Sequence, residues 1–323
     1  MAGLRGSLAD DRCTPYEPDR GPQARGRIWS IILAGGNGTR LMGASVHGHC
    51  IDRPKQFLRF GASRSLLRAT LQRVRKVTPW ERTLAVVAAH HRQWWTGELH
   101  DLPGENIVVQ PRNRGTTLAI LHALIEILRR DLDATVVVHP CDHGVDREPS
   151  LLAALDQAIA RAAGRPGDLV MIGAVPVHPE TEYGWILPEH ALREGPMPVR
   201  TFQEKPDRRL ACQLLKSGGL WNTFLFAVSG LGLLERIFRA VPRIAERYLD
   251  RMSATGWKGD ALDEFYASTP ASDFSHDVLE RSDSHLYVVP LHGCEWTDLG
   301  TPARLEAWLE RTGTRSPAVA VNH

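Results

Sequence analysis

The stretch IILAGGNGTRLMG, residues 31–43, runs from apolar residues straight into a loop with Gly35, Gly36 and Gly38, followed by Arg40. Glycine lets backbone N–H groups approach anionic oxygens and arginine offers a fixed fork of donors, so the pattern suits a phosphate chain at the mouth of a buried strand. Two common phosphate motifs do not account for it. A Walker loop needs GxxxxGK[ST], and a dinucleotide turn needs GxGxxG, where this chain has Leu41 in place of the third glycine. Further along, Asp142 follows the apolar run TVVVH, and a carboxylate there faces the ligand crevice at the C-terminal edge of a parallel sheet. His139 and His143 flank the same turn, but Pro140 between them argues against a zinc-binding helix. His47, His49 and Cys50 of the HGHC segment suit either a metal site or a solvated loop.

These groups need a scaffold, and the hydrophobic pattern supplies one. Short β-rich runs at 28–34, 83–89, 106–110, 134–139 and 169–175 alternate with apolar residues at three-and-four spacing over 65–77, 116–130 and 150–163. This alternation predicts an α/β fold, a mixed and mostly parallel sheet with crossover helices on both faces. After residue 175 the rhythm changes. GWILP, VRTFQEK and LWNTFLFAVS read as strands of a second, mixed sheet, followed by helical segments near 230–252 and 274–282, a strand at 285–291 and a helix that begins at Pro302. No internal repeat is visible, and no hexapeptide period that would build a β-helix.

Composition narrows the function classes. The chain has 323 residues and is 43% hydrophobic, enough for one large α/β domain with additions or for two domains. Its 39 basic and 37 acidic residues are well mixed and leave a formal charge of +2, which points away from nucleic-acid and membrane surfaces. Five cysteines without a CxxC pair argue against a disulfide framework or a thiolate zinc site, and fit a reducing cytoplasm. No apolar run has the length of a membrane span, and no signal peptide is visible. Residues 1–26, rich in Asp, Arg, Gly and Pro, read as a disordered leader.

LAGGNGTRL at 33–41 and PKQFL at 54–58 together resemble the sugar-1-phosphate nucleotidyltransferases, most of all the mannose-1-phosphate guanylyltransferases. QPRNRGTTLAI (110–120), HPCDH (139–143), PETEYGWI (179–186), FQEKP (202–206), LWNTFLF (220–226) and EWTDLG (295–300) follow in family order. The resemblance implies a Rossmann-like three-layer nucleotidyltransferase domain over 27–305. Its nucleotide-binding part would span about 27–175 and its sugar-phosphate part about 176–305, with 306–323 as a C-terminal helix end and tail. It also implies a cytoplasmic enzyme with one activity, since the C-terminal isomerase region of longer bifunctional relatives is not seen; a homodimer is left open.

The implied reaction is attack of a sugar-1-phosphate oxygen on the α-phosphorus of a nucleoside triphosphate, releasing pyrophosphate. GTP and mannose 1-phosphate are the favoured partners. Two polyanions must meet in line, so positioning and charge neutralisation should do the catalysis, with no protein nucleophile. The resemblance assigns Arg40 and Lys55 to the leaving pyrophosphate, and Asp142 and Asp298 to Mg²⁺, whose hard octahedral shell suits carboxylate oxygens. Leu33, Ala34, Gly35, Gly36, Gly38, Thr39, Gln110, Gly115 and Thr116 would hold the nucleotide. Tyr183, Gly184, Glu204, Lys205 and Asn222 would form the sugar-phosphate pocket, while Trp185 and Trp221 pack the sheet.

Departures from the pattern mark where specificity is open. Gly115 and Leu118 stand where guanylyltransferases of this type tend to read asparagine and proline, and Gln110 with Gly115 is similar to the thymidylyl and uridylyl branches. WNTFLF replaces WNSGMF, and Cys141 a serine. The alternatives are transfer of another nucleotide to another hexose 1-phosphate, a catalytically degenerate nucleotide-sugar-binding subunit, and a glycosyltransferase.

Overall fold

The computed structural model describes residues 27–313 apart from 48, 60–63, 258–259 and 283; the expected leader at 1–26 and residues 314–323 of the tail lie outside the described residues. Nine strands form one sheet. They are β1 (Ile28–Ala34), β2 (Thr83–Ala88), β3 (Ile107–Gln110), β4 (Thr135–Pro140), β5 (Leu169–Ala174), β6 (Trp185–Pro188), β7 (Met197–Gln203), β8 (Leu220–Ser229) and β9 (Leu286–Leu291). Their spatial order is β3-β2-β1-β4-β8-β5-β9-β7-β6.

The first four strands are parallel throughout. From β1 the chain winds outward to β2 and β3 and returns to β4 on the other flank of β1, so the strand order reverses between β1 and β4. A crevice opens at such a switch point, beyond the carboxyl ends of the strands. The separate second sheet expected after residue 175 is not formed. β8 inserts antiparallel between β4 and β5, and its first residues also pair with β6, which joins the later strands to the first sheet. A ten-residue strand is long enough to make both sets of pairs. β9 runs parallel to β5, and β7 is antiparallel to β9 and β6, so this half of the sheet is mixed.

Alternation along the strands sends neighbouring side chains to opposite faces. Ile31, Val86, Val136, Val138, Met171 and Phe226 pack with helix α2 (Thr116–Leu128), α5 (Gly230–Ala240) and α6 (Pro242–Thr255) on one face. Ile32, Ala85 and Val87 face α1 (Leu66–Arg75), while Val137, Val170 and Ala227 face α3 (Glu148–Gly164), on the other. The helical stretch expected at 230–252 is two helices, because Pro242 lacks the N–H that would continue α5 and begins α6 instead. The helix expected near 274–282 is a single wide turn, Ser275–Leu279. Two further helices, α4 (Arg208–Lys216) and α7 (Ala261–Ser268), complete the later half.

The last helix, α8 (Pro302–Arg311), packs beside the loop that follows β1. Its Leu305, Trp308 and Leu309 pack with Leu41, Val46, Ile51, Leu58 and Leu299, so the loop after the glycines is pinned by the end of the domain. Among the described residues no helix is long and apolar enough to cross a membrane.

Candidate active site

β1 ends at Ala34, and the following loop is shaped by close approaches. Gly38 has φ +64°, and a Cβ there would lie 2.8 Å from the Lys55 nitrogen, so only glycine lets the loop rest on the Pro54–Lys55 backbone. Gln56, 2% exposed, donates from Nε2 to the Gly36 carbonyl at 2.8 Å and the Ala34 carbonyl at 3.2 Å. LAGGNGTRL and PKQFL are therefore two sides of one bonded unit. The cleft in front of it, about 270 Å³, is lined by Leu33, Ala34, Gly36, Gly38 and Thr116, and across from them by Asp142 and Glu204.

Other residues expected at the nucleotide take more specific places. Gly115, at φ +84°, precedes α2, where a Cβ would be 2.1 Å from the Ser272 carbonyl oxygen. Ser272 in turn accepts from Thr117 N at 3.1 Å, and Thr116 Oγ1 accepts from Phe274 N at 2.7 Å, so a segment far downstream in the chain closes the start of this helix. Gln110 is 2% exposed; its Nε2 donates to the Tyr266 hydroxyl at 3.1 Å. Its Oε1 lies beneath Gly35, where a Cβ would approach it to 2.9 Å. Thr39 and Arg40 are exposed at the loop tip, and Arg40 makes no hydrogen bond or ion pair to a described residue.

Across the crevice three distant segments meet at Lys55. Its Nζ is 3.0 Å from Asp142 Oδ2 and also donates to the Asp298 carbonyl. Asp142 sits just beyond β4, on a turn held from below by Thr70 Oγ1, which donates to the Cys141 carbonyl at 3.2 Å. Cys141 is buried and its thiol pKa is raised, mainly by burial and then by Asp142, which makes it an inert packing group. His143 Nδ1 accepts from Trp296 Nε1 at 3.2 Å, and its Nε2 lies 3.7 Å from Asp142 Oδ1. An indole N–H only donates, so His143 keeps its proton on Nε2; burial lowers its pKa to about 4.

Asp298 is the most heavily partnered group. Its Oδ1 accepts from Tyr183 Oη at 2.9 Å, Gly300 N at 2.9 Å and an Arg304 nitrogen at 3.1 Å. Burial works to raise its pKa, but Lys55, Arg304 and the Gly300 N–H outweigh it and hold the carboxyl below the ordinary value. Leu299 follows at φ +51°, a conformation an L residue resists, and its fully buried side chain anchors the turn in the α8 cluster.

Just beyond β7, Glu204 stands behind Gly184, whose Cβ would come within 2.6 Å of Glu204 Oε2. Burial raises the Glu204 pKa against the opposing effect of Lys205. Lys205 is half-exposed, 3.4 Å from Glu204 Oε1, and has φ +44°. Asn222 donates its N–H to the Gly184 carbonyl at 2.7 Å, while its Oδ1 accepts from Phe224 N at 3.0 Å to close a turn at φ +59°. That turn lies in the irregularity of β8 between Asn222 and Phe226. Tyr183, expected among the sugar contacts, has its hydroxyl on Asp298. Trp185 and Trp221 are buried packing groups as expected.

Sequence reading missed Gln56 and Arg304. The PKQFL motif contains Gln56 without indicating which way its side chain turns. Arg304 has the sequence signature of any surface cation in the first turn of a helix. Asp142 and Asp298 supply hard oxygens and, among the described residues, no group of three His, Cys, Asp or Glu side chains is placed to hold a metal ion by itself. This donor set fits a hard divalent cation that completes its shell with water and phosphate oxygens, and not a zinc site.

A family model described as nucleotidyl transferase matches residues 29–312. A xanthan biosynthesis protein, XanB, of Xanthomonas campestris pv. campestris is 33% identical over 294 residues, which is 88% of this chain and 60% of that one. A mannose-1-phosphate guanylyltransferase of Klebsiella pneumoniae is 30% identical over 84% of this chain and 58% of its own. The chain thus spans about 60% of the length of these curated relatives. A crystal structure from Thermus thermophilus, titled mannose-1-phosphate geranyltransferase, superposes with a TM-score of 0.75 at 30% identity, covering 88% of this chain and 79% of that one. With Lys55 joining the Asp142 carboxylate to the Asp298 backbone beside the glycine loop, the chain belongs to the nucleotidyl transferase family.

Proposed function

We propose that the protein transfers a nucleoside monophosphate from a triphosphate to a sugar 1-phosphate, releasing pyrophosphate, with GTP and mannose 1-phosphate as the favoured pair. The observation that carries this reading is Lys55, whose ammonium touches both Asp142 and the Asp298 backbone at the mouth of the glycine loop. A cation between one carboxylate and a backbone carbonyl, beside the glycine loop, is a place for a polyphosphate and its counter-ion. Asp142 and Asp298 would hold Mg²⁺, which supplies charge neutralisation for the reacting phosphates.

The remaining work belongs to side chains. The loop N–H groups cradle the triphosphate and Lys55 and Arg40 stabilise the charge that develops on the leaving pyrophosphate. Lys205 grips the phosphate of the incoming sugar, and Glu204 accepts from sugar hydroxyls, with Gly184 leaving room for it. Tyr183 acts on the other side of the cleft by fixing Asp298.

The test is a panel of four nucleoside triphosphates against hexose 1-phosphates, with Mg²⁺ and a pyrophosphate readout. GTP with mannose 1-phosphate should give the highest kcat/KM. Release of nucleoside diphosphate would mark a glycosyltransferase, and silence across the panel would favour a binding subunit.

A further inference from the structure

Arg304, in the first turn of α8, is 18% exposed and lies among three carboxylates. One terminal nitrogen is 2.7 Å from Glu180 Oε2; the other is 3.2 Å from Glu182 Oε2 and 3.1 Å from Asp298 Oδ1. Its guanidinium carbon stands 4.6 Å from the Tyr183 ring centroid, and the Tyr183 hydroxyl donates to the same Asp298 oxygen. Glu180 is itself fixed, since its Oε1 accepts from Thr181 N at 2.8 Å and Glu182 N at 2.9 Å. The fork therefore joins a rigid loop at 180–183 to the carboxylate at 298.

Three donors converge on Asp298 Oδ1, and no described residue donates to Oδ2. A carboxylate bonded this way has lost its rotational freedom, and its other oxygen keeps its lone pairs for another partner. Three carboxylates around one guanidinium also leave local negative charge unbalanced.

We propose that Arg304 is a positioning residue: it orients Asp298 so that Oδ2 faces a divalent cation, and it couples that carboxylate to the loop beside the sugar pocket. This rests on the reading of Asp298 as a metal ligand. Groups bonded to a ligand's outer atoms commonly change metal affinity by about 10–100-fold. Charge alone predicts the opposite sign, because deleting a cation next to the site should tighten cation binding.

The experiment titrates Mn²⁺ into nucleotide-free protein by calorimetry and by the loss of its free-ion magnetic resonance signal, with circular dichroism as the fold control. Arg304→Met should weaken Mn²⁺ about tenfold or more. Arg304→Lys, which keeps the charge but lacks the planar fork, should also weaken it. At saturating metal, Arg304→Met should raise KM for the sugar 1-phosphate more than it lowers kcat. Wild-type or tighter Mn²⁺ binding in Arg304→Met, or wild-type binding in Arg304→Lys, would overturn the proposal and leave the underlying reading standing. Asp298→Ala separates the two: unchanged Mn²⁺ binding there would remove Asp298 as a ligand, and the positioning role with it.

Discussion

The two rims of the cleft are built by opposite strategies. On the glycine-loop rim the cation at the tip, Arg40, is exposed and makes no bond to a described residue, and the loop's order comes from its underside, through Gln56 and the Gly38 contact. On the aspartate rim, Asp298 has three donors on one oxygen and a buried, left-handed Leu299 behind it. The difference fits the partners each rim would meet. A triphosphate brings its own charge and acceptors and can complete a loop of free donors. A small hydrated cation gains most when its ligands are already in place, since ordering them on binding would reduce affinity.

The sharpest way to break this comparison is to remove the carboxylates. Asp142→Ala and Asp298→Ala should each lower kcat by ~10³-fold through lost charge stabilisation, with an unchanged circular dichroism spectrum; turnover near wild type in either would sink the metal assignment. Next comes the floor of the glycine-loop rim. Gly115→Ala places a methyl against the Ser272 carbonyl and strains a positive φ, and should cost roughly 3 kcal/mol in denaturant unfolding. A loss under about 1 kcal/mol would show that the 272–277 segment yields easily.

A pH experiment probes the same floor. His122 is 7% exposed beside the Tyr266 hydroxyl, and burial lowers its pKa to about 4. The folded state thus resists protonation while the unfolded chain accepts a proton near the ordinary 6.5. Its contribution is complete above about pH 6.5 and is lost as pH falls toward 4, by roughly 3 kcal/mol. His122→Gln should flatten the decline in unfolding free energy between about pH 7 and 4; identical slopes would show that His122 does not resist the proton. The smallest effects belong to the exposed cations. Arg40→Ala should change stability by under ~0.5 kcal/mol yet raise KM for the triphosphate about tenfold. Lys205→Ala should raise KM for the sugar 1-phosphate by a similar factor. If Arg40→Ala lowered the melting temperature markedly, the loop rim would not be open in the sense described.

Much of this arrangement is legible in the chain itself. The parallel half follows from apolar runs and three-and-four spacing because those periods depend only on local geometry. Gly38 is legible as part of a glycine-rich loop, while the need for glycine at 38 and 115 comes from neighbours that only the fold supplies, the Lys55 backbone and the Ser272 carbonyl. Asp142 is legible from its place after an apolar strand. The later half is harder to read: LWNTFLFAVS is correctly a strand, but the change of rhythm suggests another sheet where the structure has one. A strand's hydrophobic pattern reports that both its faces are covered, not which neighbours cover its edges.

What the sequence determined alone was therefore the chemistry on offer: a loop able to wrap phosphate, two cations, two carboxylates and a strand to present them. Only the tertiary structure decided that Lys55 would bridge residues 142 and 298, that Gln56 would turn back onto the glycine loop, and that Arg304 would seize Asp298 rather than solvent. Local spacing cannot encode such meetings. They depend on where a shared apolar core brings segments to rest, and on a few ångströms of register between side chains far apart in the chain.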